Sequence, residues 1–180
     1  METAAKQPAR RHGAPDERQG DPGEAAIVLG LGNPCLGDDG VGWRVAELLR
    51  DRLAARQEPG GGAVEVDCLA VGGLRLMERL VGYRRAVLID AIATGRQPAG
   101  TVAARTLASV AGISTHLGSS HDASLAVALA VGEAYGAALP DEVLLVTVEA
   151  GPSFEFGETL SPPVAAAVPR AAERVLELLS

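Results

Sequence analysis

Two adjacent aspartates, Asp38 and Asp39, lie where a buried strand gives way to a helix. They belong to the stretch IVLGLGNPCLGDDGVGWR, residues 27–44, whose pattern indicates a strand, a Gly- and Pro-rich loop and a helix start. Such a unit holds its ligand at the carboxyl edge of an α/β sheet, and a phosphate is the usual ligand there. Two carboxylates would repel a pyrophosphate, and the glycines lack the G-x-G-x-x-G spacing of a dinucleotide loop. The stretch therefore favours a cation or proton chemistry.

Two further polar residues are expected at the same edge as Asp39. Asp90 closes the third predicted strand, and His121 lies just ahead of a predicted helix. Two carboxylates and an imidazole form a facial ligand set for a divalent transition metal, with coordination positions left open; Asp38 is an alternative to Asp39 in this set. Each residue also has a structural interpretation, as a helix cap (Asp39), a turn residue (Asp90) or an ordinary loop histidine (His121). Their combination favours a functional site.

Three other residues near these positions are given structural interpretations. Cys35 is interpreted as a small apolar filler, because the neighbouring aspartates disfavour a thiolate. His116 is interpreted as a loop residue, since nothing fixes the direction of its side chain. Glu149 follows the fifth predicted strand and is interpreted as an ordinary loop acid.

Length and composition indicate one domain with an aliphatic core. The chain has 180 residues, of which 47% are hydrophobic and only 3% aromatic. Residues 1–24 are polar, mixed in charge and interrupted by prolines, so we predict a disordered N-terminal tail there. Residues 25–180 then form a single α/β domain.

Charge and segment composition argue against several classes of partner and location. The net charge is -7, which argues against nucleic acid and against an anionic membrane. No apolar run approaches the ~20 residues of a membrane span, and the N-terminus lacks the apolar segment of a secretory signal. The two cysteines, Cys35 and Cys68, give no disulfide framework. We therefore expect a cytoplasmic protein.

Strands alternate with helices along the chain, which predicts a mostly parallel sheet with helices on both faces. A short loop separates the third strand from residues 101–107, too short for a helical crossover, so this segment is predicted to be an antiparallel or edge strand. Residues 108–122 are predicted to be a loop, and Pro169 is predicted to kink the last helix or to split off its first turn. The strands are predicted at residues 26–31, 63–70, 86–90, 101–107 and 143–148, and helices over 123–138 and from Pro162 onward.

Three motifs, in this order, resemble those of the hydrogenase maturation proteases. They are GLGNPCLGDDGVG at residues 30–42, VLIDAI at 87–92 and SSHDASLAVAL at 119–129. The first is quite specific, because G-N followed by D-[DE]-x-x-G after a buried strand is unusual. The resemblance runs from about Ala26 to the last helix. It implies a three-layer α/β/α sandwich and an endopeptidase that trims the large subunit of a nickel–iron hydrogenase.

The resemblance also implies the site residues and the source of the metal. By motif position the metal-binding groups match Asp39, Asp90 and His121, where the family's first acid is often glutamate and many relatives carry Pro before the histidine. The nickel would belong to the substrate: the partner is a large-subunit precursor already loaded with metal, from which a short C-terminal extension is cut. Another divalent metal is expected to be accepted in vitro.

Two points of mechanism and two further functions stay open at the level of sequence. A water is activated either by the metal or by a carboxylate acting as base, as in an aspartic-type endopeptidase, and Asp38 is either that base or a helix cap. No G-x-S-x-G motif supports a nucleophilic serine. One alternative function is a nickel-checking chaperone or binding module that does not cleave, and another is a small-ligand enzyme using the same edge.

Overall fold

Five strands and four helices form one α/β unit in the computed structural model, which describes residues 25–55, 64–107, 124–151 and 156–180. A 3₁₀ turn, Gly37–Gly40, joins the first strand to the first helix. The strands are β1 (Ala26–Leu31), β2 (Val64–Leu69), β3 (Arg85–Ile92), β4 (Val102–Thr106) and β5 (Glu142–Glu149); the helices are α1 (Val41–Ala55), α2 (Gly73–Leu80), α3 (Leu125–Ala134) and α4 (Pro162–Leu179).

The sheet has the order β2-β1-β3-β5-β4, and all its pairs are parallel except β4 with β5. The central strands β1 and β3 are almost entirely buried because helices cover both of their faces. β4 is an antiparallel strand at one edge, which confirms the prediction for residues 101–107. The predicted five-stranded, mostly parallel sheet is therefore confirmed.

Helices cover both faces of the sheet, which gives the predicted three layers. Helices α1 and α4 pack on one face, and α2 and α3 pack on the other. Alternate residues of each strand point to opposite faces, so each strand supplies both cores. The first core contains Val28, Val87, Ile89, Val146 and Val148 from the sheet; the second contains Ile27, Leu29, Leu31, Ala86, Leu88 and Leu145.

Helix α3 ends earlier than the predicted helix over residues 123–138. Its last turn closes with two hydrogen bonds, from Gly136 N–H to the Glu133 carbonyl (3.0 Å) and from Ala137 N–H to the Gly132 carbonyl (2.9 Å). Gly136 adopts a φ of 76°, the left-handed conformation that stops a helix in this way. The predicted C-terminal boundary was therefore wrong by four residues.

Pro169 does not split the last helix, so that part of the prediction was wrong. The helix runs without interruption from Pro162 to Leu179. Pro169 and Ala165, whose carbonyl loses its helical donor to the proline, both lie on the exposed side of the helix, where a carbonyl without that donor can bond to solvent. The buried side stays packed on the sheet and on α1 through Val164, Ala167, Ala171, Ala172 and Val175.

Helices long and apolar enough to cross a membrane are absent from the described parts of the chain. The predicted tail over residues 1–24 and the predicted loop over 108–122 lie outside these parts, and so does most of the boundary between tail and domain.

Candidate active site

The start of helix α1 is pressed against the carboxyl ends of two strands. At Gly42, a Cβ atom would overlap the carbonyl oxygens of Leu31 at the end of β1 and Ile89 in β3. Only glycine permits this approach, which sets the loop between β1 and α1 directly beside β3. The residue that follows Ile89 is Asp90, and Asp39 precedes Gly42 by three residues. The loop and the strand therefore place both predicted carboxylates at the carboxyl edge of the sheet.

Asp39 is buried and faces inward from the 3₁₀ turn. Its side chain is 3% exposed. The backbone N–H of Asn33 donates to its Oδ2 atom at 2.7 Å, across the loop that leaves β1. A hydrogen bond of this kind fixes the orientation of the side chain.

Asp38 points the other way and is tied to the last helix. Its Oδ1 accepts the backbone N–H of Ser161 at 2.6 Å, and its Oδ2 accepts the Ser161 hydroxyl at 2.8 Å. Ser161 is the N-cap residue of α4, so the carboxylate lies at the positive end of that helix. The sequence predicted a base or a helix cap for Asp38 but not this contact, because its partner is 123 residues away.

A second set of hydrogen bonds, between backbone atoms, also holds this loop. Gly37 N–H donates to the Gly157 carbonyl at 2.6 Å, and Gly157 N–H donates to the Cys35 carbonyl at 2.9 Å. Leu36 and Gly157 thus form a short parallel bridge. Together with the contact between Asp38 and Ser161, these bonds fasten the carboxylate loop to the segment that leads into α4.

Asp90 is fully buried near the carboxyl end of the central strand β3. It is 0% exposed and pairs in register with Thr147 of β5. Because Leu88 belongs to the core beneath α2 and α3, Asp90, two residues further on, points to that same face. Central strand pairing on both sides of β3 therefore determines where this carboxylate lies.

The third predicted ligand, His121, lies outside the described residues, as does His116. Within the described part, groups of three or more His, Cys, Asp or Glu side chains with metal-binding geometry are absent. Asp39 and Asp90 are the two predicted ligands that the structure describes, and both are buried at one edge of the sheet.

The interpretation of Glu149 as an ordinary loop acid was wrong. This residue is the last of β5, and it is 2% exposed. Its carboxylate accepts the backbone N–H groups of Thr94 and Gly95 at 2.7 and 2.8 Å. The sequence signal was its position at the end of the apolar run VLLVTV, because β5 pairs with the central strand β3 and is buried over its carboxyl half.

The interpretation of Cys35 as an apolar filler was also wrong, because the residue is exposed. The other cysteine, Cys68, is partly buried, and burial raises the pKa of its thiol. Both thiols are free.

A family model described as hydrogenase maturation protease matches residues 44–178, which is 135 of the 180 residues. The match begins after the loop that carries Asp38 and Asp39. No curated protein matches the chain.

Three solved structures are similar to the chain. The chain is similar to the [NiFe] hydrogenase maturation protease HybD from Thermococcus kodakarensis, with 25% identity over 87% of this chain and 99% of that one and a TM-score of 0.64. It is similar to the hydrogenase maturating endopeptidase HybD from Escherichia coli, with 28% identity over 86% and 91% and a TM-score of 0.65. A solution structure of an endopeptidase from Escherichia coli matches with 28% identity over 86% and 91% and a TM-score of 0.68.

Proposed function

The chain belongs to the hydrogenase maturation protease family, and on that premise we propose that it removes a C-terminal extension from the nickel-loaded precursor of a hydrogenase large subunit. The observation that carries the proposal is the burial of both Asp39 and Asp90 at the carboxyl edge of the sheet. Buried carboxylates at the edge where α/β proteins bind ligands are candidates for a functional role.

We assign Asp39, Asp90 and His121 as the groups that bind the nickel carried by the substrate. In the sequence, His121 precedes Ser124, the N-cap of α3, by three residues. Helix α3 ends near the amino edge, where the Ala138 carbonyl accepts the Gly82 N–H. Its ten residues, about 15 Å long, therefore lead back toward the carboxyl edge on the face to which Asp90 points.

In the proposed reaction a water attacks the scissile carbonyl, the C–N bond breaks, and the amine leaves with a proton. The bound nickel would polarise the carbonyl or lower the pKa of the water. In the aspartic-type alternative, Asp39 or Asp90 takes the proton of the water as a general base. In either case the backbone N–H of Asn33 orients the Asp39 carboxylate, and the pairing of β3 orients Asp90.

Asp38 takes a structural role in this proposal. Both of its oxygens accept hydrogen bonds from Ser161, so its carboxylate is already engaged in the contact that joins the loop to α4. Such a contact keeps the neighbouring Asp39 in place.

We place the reaction in the cytoplasm, with the large-subunit precursor as partner and without nucleic acid or membrane. The net charge of -7 supports the absence of nucleic acid and of an anionic membrane as partners.

A cleavage assay tests the proposed function. Purified protein is mixed with an unprocessed hydrogenase large subunit, with and without nickel, and both proteins are weighed by mass spectrometry. We expect loss of a short C-terminal peptide only from the nickel-loaded precursor. A precursor that another maturation protease can process, but that this protein leaves intact while binding it, would contradict cleavage and favour the nickel-checking chaperone.

A further inference from the structure

One buried acid outside the proposed ligand set holds a whole loop beside the site. Residues 93–101 form the loop that follows β3, the strand that carries Asp90. Both ends of this loop are bonded to the same residue, Glu149, at the end of the neighbouring strand β5.

The side chain of Glu149 holds the first end of the loop. Its Oε1 atom accepts the Thr94 N–H at 2.7 Å and the Gly95 N–H at 2.8 Å. The Thr94 hydroxyl lies 2.7 Å from Oε1 and 2.9 Å from Oε2 and donates to the carboxylate. Three donors thus converge on one carboxylate that is 2% exposed.

The main chain of Glu149 holds the second end of the loop. Its carbonyl accepts the Gly100 N–H at 2.7 Å, and its N–H donates to the Thr101 carbonyl at 2.9 Å. Arg170 of α4 adds a bond to the Gly100 carbonyl at 2.8 Å. Between the two ends, residues 95–99 are exposed. The loop therefore has hydrogen-bonded ends and a solvent-exposed middle.

Asp90 itself does not depend on these bonds. It pairs with Thr147, and Glu149 pairs with Ile92, so the two acids lie on one face of neighbouring strands, two positions apart. The pairing of β3 with β1 and β5 holds Asp90 whether or not the loop is ordered. A loss of Glu149 would therefore be felt in the loop rather than at Asp90.

We propose that Glu149 is a positioning residue that holds the loop over residues 93–101 as a wall for the C-terminal segment of the substrate. The inference rests on the proposed protease function, because loops at the carboxyl ends of strands line the crevice that such a segment would enter. Glu149 acts through hydrogen-bond geometry and not through its charge. The chemical step stays with the residues assigned above.

Kinetics of three variants on the nickel-loaded precursor test this role. Glu149→Ala removes every side-chain acceptor, and we expect KM to rise about tenfold with kcat within about twofold of wild type. Glu149→Gln keeps Oε1 for the two N–H groups and offers its amide to the Thr94 oxygen, so we expect near wild-type KM and kcat. The matched control is Glu142→Gln, which removes an exposed acid from the opposite end of the same strand.

Trypsin gives a readout that does not require cleavage of any precursor. Arg96 is exposed within the loop, and we expect Glu149→Ala to be cut after Arg96 about tenfold faster than wild type or Glu149→Gln. Should Glu149→Ala fail to fold, Thr94→Val, which removes one donor, is expected to show the same changes at about threefold.

Two results would overturn the inference. Unchanged trypsin sensitivity or unchanged KM in Glu149→Ala and Thr94→Val would show that the loop does not depend on this acid or does not meet the substrate. A Glu149→Gln variant that loses kcat would make Glu149 a catalytic residue instead. Failure of the proposed function is distinct: wild type would then leave the precursor intact, and the trypsin comparison would still decide whether Glu149 holds the loop.

Discussion

Acidic side chains are buried at the carboxyl edge of the sheet and exposed at its amino edge. At the carboxyl edge, Asp39, Asp90 and Glu149 are all almost completely buried. At the amino edge, the acids lie in solvent and form loose ion pairs, Arg85 with Glu142 at 3.7 Å and Arg84 with Asp141 at 3.6 Å.

The difference distinguishes dispensable surface charges at the amino edge from buried charges at the carboxyl edge that need a reason other than stability. An exposed ion pair contributes about 0–1 kcal/mol, and either partner can be lost with little effect. A buried carboxylate costs free energy unless donors or a cation meet it, so it is a poor way to gain stability. The concentration of buried acids at the edge where α/β proteins bind ligands supports assigning the chemistry there.

The largest expected effect is on catalysis at the carboxyl edge. Asp39→Asn keeps an oxygen that accepts the Asn33 N–H but loses the charge, so we expect processing to slow about a thousandfold, or about 4 kcal/mol of transition-state stabilisation. Processing rates are measured by mass spectrometry, with the melting temperature as the control for folding. A rate within tenfold of wild type would remove Asp39 from the mechanism.

A backbone substitution tests the geometry that brings Asp39 to Asp90. Gly42→Ala would force a methyl group against the carbonyls of Leu31 and Ile89, and we expect it to lower the free energy of unfolding by about 3 kcal/mol and to impair processing. Urea unfolding measures the change. The control is Gly151→Ala, where a Cβ meets nothing within 4 Å. Equal stability of the two variants would contradict the close approach.

Asp38 sharpens the comparison, because it is an acid of the same edge with a structural assignment. Asp38→Ala leaves Ser161 without its acceptor, and we expect a loss of about 1.5 kcal/mol in unfolding free energy. Asp38→Asn keeps a bond to the Ser161 N–H and should process the precursor at a nearly normal rate. An Asp38→Asn variant with a normal melting temperature and no processing would instead identify Asp38 as the base.

The smallest effect is expected at the amino edge. Glu142→Gln removes one partner of an exposed ion pair, so its unfolding free energy should change by about 0.5 kcal/mol or less and its processing rate should not change. Urea unfolding and the cleavage assay measure the two quantities. A loss comparable to that of Asp38→Ala would break the contrast between the edges.

Local sequence patterns predicted much of the fold correctly. The apolar runs of β1 and β3 were readable because parallel central strands are buried on both faces, and the short connection before β4 correctly indicated an antiparallel edge strand. The end of α3 and the continuity of α4 through Pro169 were not readable. Both depend on competition between local signals and packing, which sequence periodicity does not weigh.

The candidate site shows the same division. Asp39 and Asp90 could be named from the sequence because one lies in the loop after a recognisable strand and the other lies near the end of one. The partner of Asp38 could not, since Ser161 lies 123 positions away and only the folded chain brings the two together. The prediction for Glu149 was wrong for a similar reason: the donors to its carboxylate are backbone N–H groups of the loop that follows β3, not of its own strand.

Asp90→Asn is the most direct test of the claim that Asp39 and Asp90, two of the buried acids at this edge, serve the chemical step. Processing of the nickel-loaded precursor and the melting temperature are measured on the same preparation. We predict that processing is lost while the protein still unfolds in one cooperative transition, because the substitution removes the charge without changing the size of the side chain. Normal processing by Asp90→Asn would contradict the account.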